Sequence, residues 1–207
     1  MTDMRVPPAL RRMLPADLKR VVDIHLSAFP GFFLTYLGSR FLRELYAAIL
    51  ADSTGIAFVA QDAGGGLAGF VAGTTNPAGF YRRLIRRRLV RFAFASVAPL
   101  LRRPVIMTRL LRALSKPNEG AAPVGTALLM SLAVAGEYQG TGAGRDLTGA
   151  FIREAFERGS TGVRLTTDRN ANDRVNAFYQ SQGFRLVRTF TTPEGREMNE
   201  YEKPPHE

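Results

Sequence analysis

The sequence predicts a mixed α/β (α+β) fold in which helices flank the faces of one central sheet. Three observations support this fold class. Two hairpins are indicated, one at 56–73 and one at 184–202, because each pairs short apolar runs across a polar turn. An apolar strand, a glycine-rich turn and a helical pattern follow one another at 128–156. Hairpins combined with β-loop-α units favour a mixed sheet over a purely parallel one.

The N-terminal half is divided by helical apolar spacing and by breaker residues. Its predicted elements are, in order, a helix over 15–27, a helix over 32–50, and a hairpin with strands at 56–60 and 67–73. Pro30-Gly31 ends the first helix, since neither residue suits a helix interior. The hairpin turn, 62–66, contains three glycines.

The C-terminal half alternates strands and helices before it ends in a hairpin. Its predicted elements are a strand at 128–134, a helix that begins after the glycine-rich turn, a strand at 163–167, a helix over 172–181, and strands at 184–191 and 197–202. The last two strands meet at the turn Thr192-Pro193-Glu194-Gly195. Together the two halves form one domain, predicted to span 1–207.

Composition excludes several classes of protein. The chain has 207 residues, 45% of them hydrophobic and 22% charged, as in an ordinary globular domain. It has no cysteine, which excludes disulfides, thiolate catalysis and cysteine metal sites. With only His25 and His206, we expect no metal. No run of eighteen apolar residues and no secretory pattern is present, so we expect a cytoplasmic protein. Only three of the 28 basic residues are lysines and the others are arginines, which suggests a bacterial source.

Positive charge is concentrated in one segment. Between Ala78 and Asn118 there are ten arginines and one lysine, and no acidic residue. This segment therefore has a charge of +11, and the rest of the chain has a charge of −1, which gives the net charge of +10. Its apolar spacing predicts helices over 80–98 and 105–114. We therefore expect an arginine-rich helical insertion at 78–118.

The run Gln139-Gly140-Thr141-Gly142-Ala143-Gly144 indicates a phosphate site. It lies between a strand and a helix start, where backbone N–H groups and the positive end of the helix dipole converge. Glycine allows a phosphate to approach the main chain and adopts positive φ at little cost. The alternative is a flexible connection without a ligand, since short glycine motifs occur by chance.

Two familiar phosphate loops do not fit. A Walker A loop needs Lys and then Ser or Thr after its last glycine, but Arg145 and Asp146 follow Gly144. A dinucleotide fingerprint places glycine where Arg145 stands. Both readings are therefore disfavoured.

The loop does resemble that of a known family. Val134, Tyr138 and the run Gln139-Gly140-x-Gly142-x-Gly144 are similar to the acetyl-coenzyme A loop of the GNAT acyltransferases. A second resemblance follows in Asn172, Phe178-Tyr179 and Gly183-Phe184, spaced as in the second cofactor motif of that family. Together the two motifs cover 127–190, with small departures at Gly136 and Val175.

The resemblance implies a mostly antiparallel sheet and acetyl-coenzyme A as the acyl donor. The diphosphate would be held by Gln139, Gly140, Thr141, Gly142, Ala143, Gly144 and Arg145. The backbone of Leu132, Ala133 and Val134 would pair with the pantetheine arm, and an N–H near Val134 would polarise the thioester carbonyl.

Two further residues receive roles from the resemblance. Tyr179 is the expected catalytic acid, protonating the departing thiolate, and it would also contact the cofactor. The alternative is a packed core aromatic. Asn172 would bind the cofactor arm or cap the following helix, a position that favours asparagine.

The acceptor side is less determined by the sequence. Glu119 and Asp168 are candidates for the base that deprotonates the amine, but nothing assigns either. Glu137 is expected to face solvent and His25 to be a packed or surface residue. The aromatic run Phe29-Pro-Gly-Phe32-Phe33-x-x-Tyr36 is either core or the lining of an apolar or sugar-like site.

Two functions follow from these observations. The first is transfer of an acetyl group from acetyl-coenzyme A to a primary amine of a small molecule or sugar, by direct attack in a ternary complex. The second is a non-catalytic module of the same fold. The segment 78–118 could be a solvated helical cover, bind an anionic acceptor or an anionic membrane surface, or bind nucleic acid, which is the least favoured of these. A homodimer is left open.

Overall fold

A computed structural model of the chain describes residues 8–78, 80, 83 and 124–205. Within them seven strands form one sheet. They are β1 (Ala9–Arg12), β2 (Gly55–Gln61), β3 (Leu67–Thr74), β4 (Thr126–Val134), β5 (Gly162–Asp168), β6 (Arg185–Thr191) and β7 (Glu197–Lys203). Their order across the sheet is β1-β2-β3-β4-β5-β7-β6. Only β4 and β5 pair in parallel, so the predicted mixed, mostly antiparallel sheet is confirmed.

Five α-helices lie in the described residues. They are α1 (Leu18–Ala28), α2 (Phe33–Tyr36), α3 (Gly38–Ala51), α4 (Ala143–Glu157) and α5 (Asp173–Ser181). Short 3₁₀ turns precede α1 at Pro15–Asp17 and follow β4 at Gly136–Tyr138. The helix predicted over 32–50 is divided in two, because Gly38, the first residue of α3, adopts a φ of 83°.

The sheet separates two hydrophobic clusters. Side chains of α1 and α3 pack on one face, which we call the α1 face, and those of α4 and α5 pack on the other, the α4 face. The central strand β3 shows the alternation, since Phe70 faces the α1 side and Val71 the α4 side. Every residue of β3 is buried.

The strand β1 was not predicted from the sequence. It has only four residues and two of them are arginines, so it carries no apolar alternation. It is held by its pairing with β2 and by the Arg12 guanidinium, which donates to both oxygens of Glu154 at 2.8 Å. Charged side chains at such an edge oppose pairing with another chain.

The parallel pair in the middle of the sheet is short. Only Thr126, Ala127 and Leu128 of β4 pair with β5, although both strands continue for several residues. A β-bulge at Met130 interrupts the pairing of β4 with β3 at the same level, and bulges bend and twist a strand. The strands therefore part toward their carboxyl ends.

The arginine-rich insertion predicted at 78–118 lies outside the described residues, apart from Ala78, Phe80 and Arg83. None of the helices within the described part of the chain combines the length and hydropathy needed to span a bilayer.

Candidate active site

The glycine-rich run forms a tight turn between β4 and α4. Gly140 and Gly142 have φ angles of 83° and 93°, in the left-handed region that glycine adopts without strain. The first intrahelical hydrogen bond of α4 runs from the N–H of Asp146 to the carbonyl of Gly142, at 3.1 Å. The N–H groups of Ala143, Gly144 and Arg145 therefore precede the hydrogen-bonded ladder, as at any helix start. They suit an anion at the carboxyl end of β4.

Tyr138 fixes this turn to a distant hairpin. Its hydroxyl donates a hydrogen bond to Oδ2 of Asp62, in the turn between β2 and β3. The same carboxylate accepts the N–H groups of Gly64 and Gly66 at 2.8 Å. These hydrogen bonds, that of Tyr138 first, lower the pKa of Asp62 below its ordinary value. Sequence reasoning missed Asp62, because its partner lies 76 residues away in the chain.

Gly144 lies where three elements meet. A Cβ at this glycine would be 3.6 Å from Cγ2 of Val134 in β4 and 3.7 Å from Cζ of Phe178 in α5. Both are ordinary van der Waals distances, so this third glycine is not required by space or by φ. The contacts bring together the end of β4, the first turn of α4 and the helix α5, beside the opening between β4 and β5 that their lost pairing leaves.

The residues Leu132, Ala133 and Val134 line one side of that opening with their backbone. On the other side of the strand they pair with Val71, Phe70 and Gly69 of β3, respectively. Because alternate residues of an antiparallel pair direct N–H and C=O groups away from the partner, part of this backbone faces β5. No strand within the described residues pairs with it there beyond Leu128.

Tyr179 lies on the α4 face, beside the opening. Its side chain is 7% exposed and contacts the rings of Phe178, Phe184 and Tyr201 at centroid distances of 5.3, 5.7 and 6.3 Å. Its hydroxyl has no hydrogen-bond partner among the described residues. Burial raises the pKa of this phenol above its ordinary value, so it stays protonated at neutral pH and can donate to a ligand atom.

Asn172 is the N-cap residue of α5, but its side chain does not cap that helix. Its amide nitrogen instead donates to Oγ1 of Thr167 at 2.8 Å and to the carbonyl of Asp168 at 3.0 Å. The capping expected from its residue type is therefore wrong, because the amide is turned back toward β5. It ties the start of α5 to the carboxyl end of β5.

Asp168 is engaged in an ion pair and is not a free base. The Arg196 guanidinium donates to both of its oxygens, at 2.6 and 2.7 Å. The other candidate base, Glu119, lies outside the described residues. Glu137 is exposed, as expected, and is 3.3 Å from Arg20. None of these three carboxylates is therefore assigned as the base that deprotonates the amine.

The aromatic run is neither wholly core nor wholly surface. Phe29 packs against the α1-face cluster, Phe32 is half-buried, and Tyr36 is 43% exposed. Phe29 lies on the α1 face, across the sheet from Tyr179, and the centroid of its ring is 5.3 Å from that of Phe32.

His25 is a buried core residue, as the packing interpretation predicted. It is 3% exposed, its Nδ1 lies 2.7 Å from the hydroxyl of Tyr46, and its ring is 4.7 Å from that of Phe29. Its Nε2 is buried without a partner in the described residues. Burial lowers the pKa of His25 to about 4.

We expect His25 to make the fold acid-sensitive. Its pKa is depressed in the folded state, so below the unfolded value of about 6.5 the unfolded chain binds a proton that the folded chain does not. The free energy of unfolding should fall by about 2 kcal/mol between pH 7 and pH 5 through this residue, and the loss is complete below about pH 4. Urea unfolding at both pH values measures it. His25→Phe should flatten the dependence, and an unchanged slope in that variant would contradict this prediction.

The described residues contain no group of three or more His, Asp or Glu side chains placed to hold a metal ion. The arrangement is instead suited to an extended, anionic ligand. The backbone N–H groups at the start of α4 suit a charged group, and the edge of β4 left unpaired beyond Leu128 suits an uncharged chain.

The strands β4 and β5 separate beside a glycine-rich turn and the start of a helix. This arrangement defines a class of fold that can bind such a ligand between its central strands. Comparison with known proteins identifies the class. The model of the Acetyltransferase (GNAT) family matches residues 18–184, and the chain belongs to this family. The resemblance noted in the sequence is thereby confirmed, and so is the prediction of an acyltransferase. Members of the family use acetyl-coenzyme A.

Solved structures with the same fold extend over nearly the whole chain. Ard1 from Thermoplasma volcanium has a TM-score of 0.63 at 15% identity, over 98% of this chain and 100% of that chain. A ribosomal-protein-alanine N-acetyltransferase from Brucella melitensis has a TM-score of 0.62 at 18% identity, over 95% and 99%. Mutant forms of the spermidine/spermine N-acetyltransferase from Vibrio cholerae have a TM-score of 0.58 at 16% identity, over 95% and 92%. At these identities they establish the fold alone. No curated protein sequence gave a match.

Proposed function

We propose that the protein transfers an acetyl group from acetyl-coenzyme A to a primary amine of a small molecule or sugar, by direct attack in a ternary complex. One observation carries the proposal. The parallel pairing of β4 and β5 stops after Leu128 and Arg164, and β4 then continues to Val134, whose side chain lies beside Gly144 and the unsatisfied N–H groups at the start of α4. A diphosphate and a long uncharged arm can bind there together.

On the donor side, the residues fit acetyl-coenzyme A. The turn from Gln139 to Arg145 offers N–H groups to the diphosphate, and the open edge of β4 at 132–134 offers backbone groups to the arm. A backbone N–H near Val134 would stabilise negative charge that develops on the thioester oxygen. Tyr179 supplies the proton for the departing thiolate, and its hydroxyl is unpaired among the described residues. Asn172 contributes by holding the start of α5 against β5.

On the acceptor side, the α1 face offers aromatic surface and paired charges. Phe29 packs on this face and its ring contacts that of Phe32, across the sheet from Tyr179, so an acceptor bound beside these rings would approach the thioester from the side opposite Tyr179. Every carboxylate of β5 and β7 has an arginine partner; these are Asp168, Glu197, Glu200 and Glu202. A polyamine would find no uncompensated carboxylate on these strands. A monoamine with an aromatic or sugar-like body is favoured.

We expect release of free thiol from acetyl-coenzyme A in the presence of 2-phenylethylamine or glucosamine. The kcat/KM for spermidine should be at least about tenfold lower, because its second cationic group would lack a carboxylate partner, and one charge pair changes affinity by about this factor. Mass spectrometry of the amine product confirms the transfer. Thiol release equal with and without every amine would overturn the proposal, and a preference for spermidine would overturn the acceptor class.

The sequence suggests other properties that stay predictions. These are a single domain over 1–207 and a cytoplasmic location, while a homodimer is left open. The alternative function is a non-catalytic module of the same fold, in which the segment 78–118 binds an anionic membrane surface or nucleic acid. Salt-dependent binding to anionic vesicles or DNA, with no thiol release for any amine, would favour that last role over catalysis.

A further inference from the structure

Arg196 connects two segments that are far apart in the sequence. Its guanidinium donates three hydrogen bonds to Asp168, at 2.6, 2.7 and 3.1 Å, and its Cζ lies 4.5 Å from the ring centroid of Phe32. A planar guanidinium can bind a carboxylate through its edge and stack on an aromatic ring through its face at the same time. Arg196 therefore holds an ion pair and a cation–π contact together.

These contacts lie at the wide end of the opening between β4 and β5. Asp168 is the last residue of β5, and Arg196 comes directly before β7 in the hairpin turn. Phe32 lies in the connection between α1 and α2. The guanidinium thus bridges the carboxyl end of β5 to a connection on the α1 face.

The connection between α1 and α2 is anchored at its other end in the core. The ring of Phe29 lies 4.7 Å from that of buried His25 and 5.3 Å from that of Phe32. Between the two phenylalanines stand Pro30 and Gly31, the latter with a φ of 82°. Phe32 is not part of the buried core, and its ring is held between the ring of Phe29 on one side of the connection and the guanidinium of Arg196 at the end of β5.

We propose that Arg196 is a positioning residue of the acceptor site: by bridging Asp168 and Phe32 it fixes the aromatic connection at 29–32 against the end of β5 and thereby sets the affinity for the acceptor amine. The proposal rests on the proposed function, because it assumes that the amine enters from the α1 face. Arg196 acts through Phe32 and does not touch the reacting atoms.

The test compares Arg196→Gln with the wild type in two measurements. We expect the KM of the acceptor, measured with whichever of 2-phenylethylamine or glucosamine the wild type acetylates, to rise by about tenfold, the effect of one charge-assisted contact. The kcat and the KM of acetyl-coenzyme A should change less than about twofold, since the donor groups are untouched. Amide hydrogen exchange in the free protein should become about tenfold faster at 29–37 and stay unchanged at 143–157.

Matched variants separate positioning from general loss of charge. Arg11→Gln removes an arginine on the edge strand β1, which pairs with Asp17 at 2.7 Å outside the acceptor site, and it should leave both measurements unchanged. Arg196→Lys keeps the charge but loses the planar stack, and it should give an intermediate KM. Phe32→Leu should raise the KM as Arg196→Gln does, with no further increase in the double variant.

The proposal is overturned if the KM of the amine is unchanged or lower in Arg196→Gln, or if exchange at 29–37 does not respond. Absence of acetyl transfer in the wild type would instead refute the proposed function. In that case the exchange measurement still decides whether Arg196 holds the connection.

Discussion

Replacing Gly142 by aspartate should raise the dissociation constant of coenzyme A by roughly a hundredfold relative to replacement by asparagine. Both residues tolerate the left-handed conformation that Gly142 adopts, with a φ of 93°. No heavy atom lies within 4 Å of the added Cβ, so the two variants are alike in shape and strain. They differ by one negative charge. At about 5 Å from a phosphate and an effective dielectric constant of about 20, that charge costs about 3 kcal/mol, and solvent screening lowers the effect somewhat.

The same helix offers a control for this substitution. Gly159 follows the other end of α4, has a φ of 82° and is equally open, but it is separated from Gly142 by a helix of fifteen residues. Such a helix is about 22 Å long. Gly159→Asp should therefore change the dissociation constant less than about twofold relative to Gly159→Asn. Titration calorimetry with coenzyme A measures both pairs. Equal affinity of Gly142→Asp and Gly142→Asn would show that the diphosphate binds elsewhere.

Replacing Tyr179 by phenylalanine should lower kcat by roughly a hundredfold, the usual scale for loss of a general acid. The affinity for acetyl-coenzyme A should change little. The fold should be as stable as the wild type or slightly more so, because the hydroxyl has no hydrogen-bond partner among the described residues and the ring contacts with Phe184 and Tyr201 remain. Burial also raises the pKa of Tyr179, so this residue should cause no loss of activity up to about pH 10.

Tyr201 provides the matched control for Tyr179. It is also buried on the α4 face, but its hydroxyl donates a hydrogen bond to Oδ1 of Asn176 at 2.9 Å. Tyr201→Phe should therefore lower the free energy of unfolding by about 1 kcal/mol and leave kcat within about threefold. Single-turnover thiol release and urea unfolding measure the two effects. An undiminished rate of the chemical step in Tyr179→Phe would assign that residue to packing alone.

Features of the site that depend on neighbouring residues could be predicted from the sequence. The order of an apolar strand, glycines and helical spacing was sufficient to predict where β4 ends and α4 begins, because each signal acts within a few residues. The positive φ of Gly140 and Gly142 follows from the same local requirement. Gly144 shows the limit of this reasoning, since its identity as glycine did not reveal its position between Val134 and Phe178.

Features that join distant segments could not be predicted from the residues alone. The hydrogen bond from Tyr138 to Asp62 and the stack of Arg196 on Phe32 each connect parts of the chain whose separation carries no periodic signal. The strand β1 was missed for a related reason, since it is stabilised by its pairing with β2 rather than by its own composition. The ion pair that occupies Asp168 likewise became visible only in three dimensions.

The sequence by itself determined the order of the described elements after β1 and the position of the glycine-rich turn, because backbone conformation and helix initiation are set by residues close together in the chain. Its two motifs also gave the resemblance that the family model confirmed. Only the tertiary structure decided how far β4 and β5 stay paired, which carboxylates are already neutralised, and which aromatic side chains reach the opening. Those properties depend on packing and charge between segments that meet only once the sheet has formed.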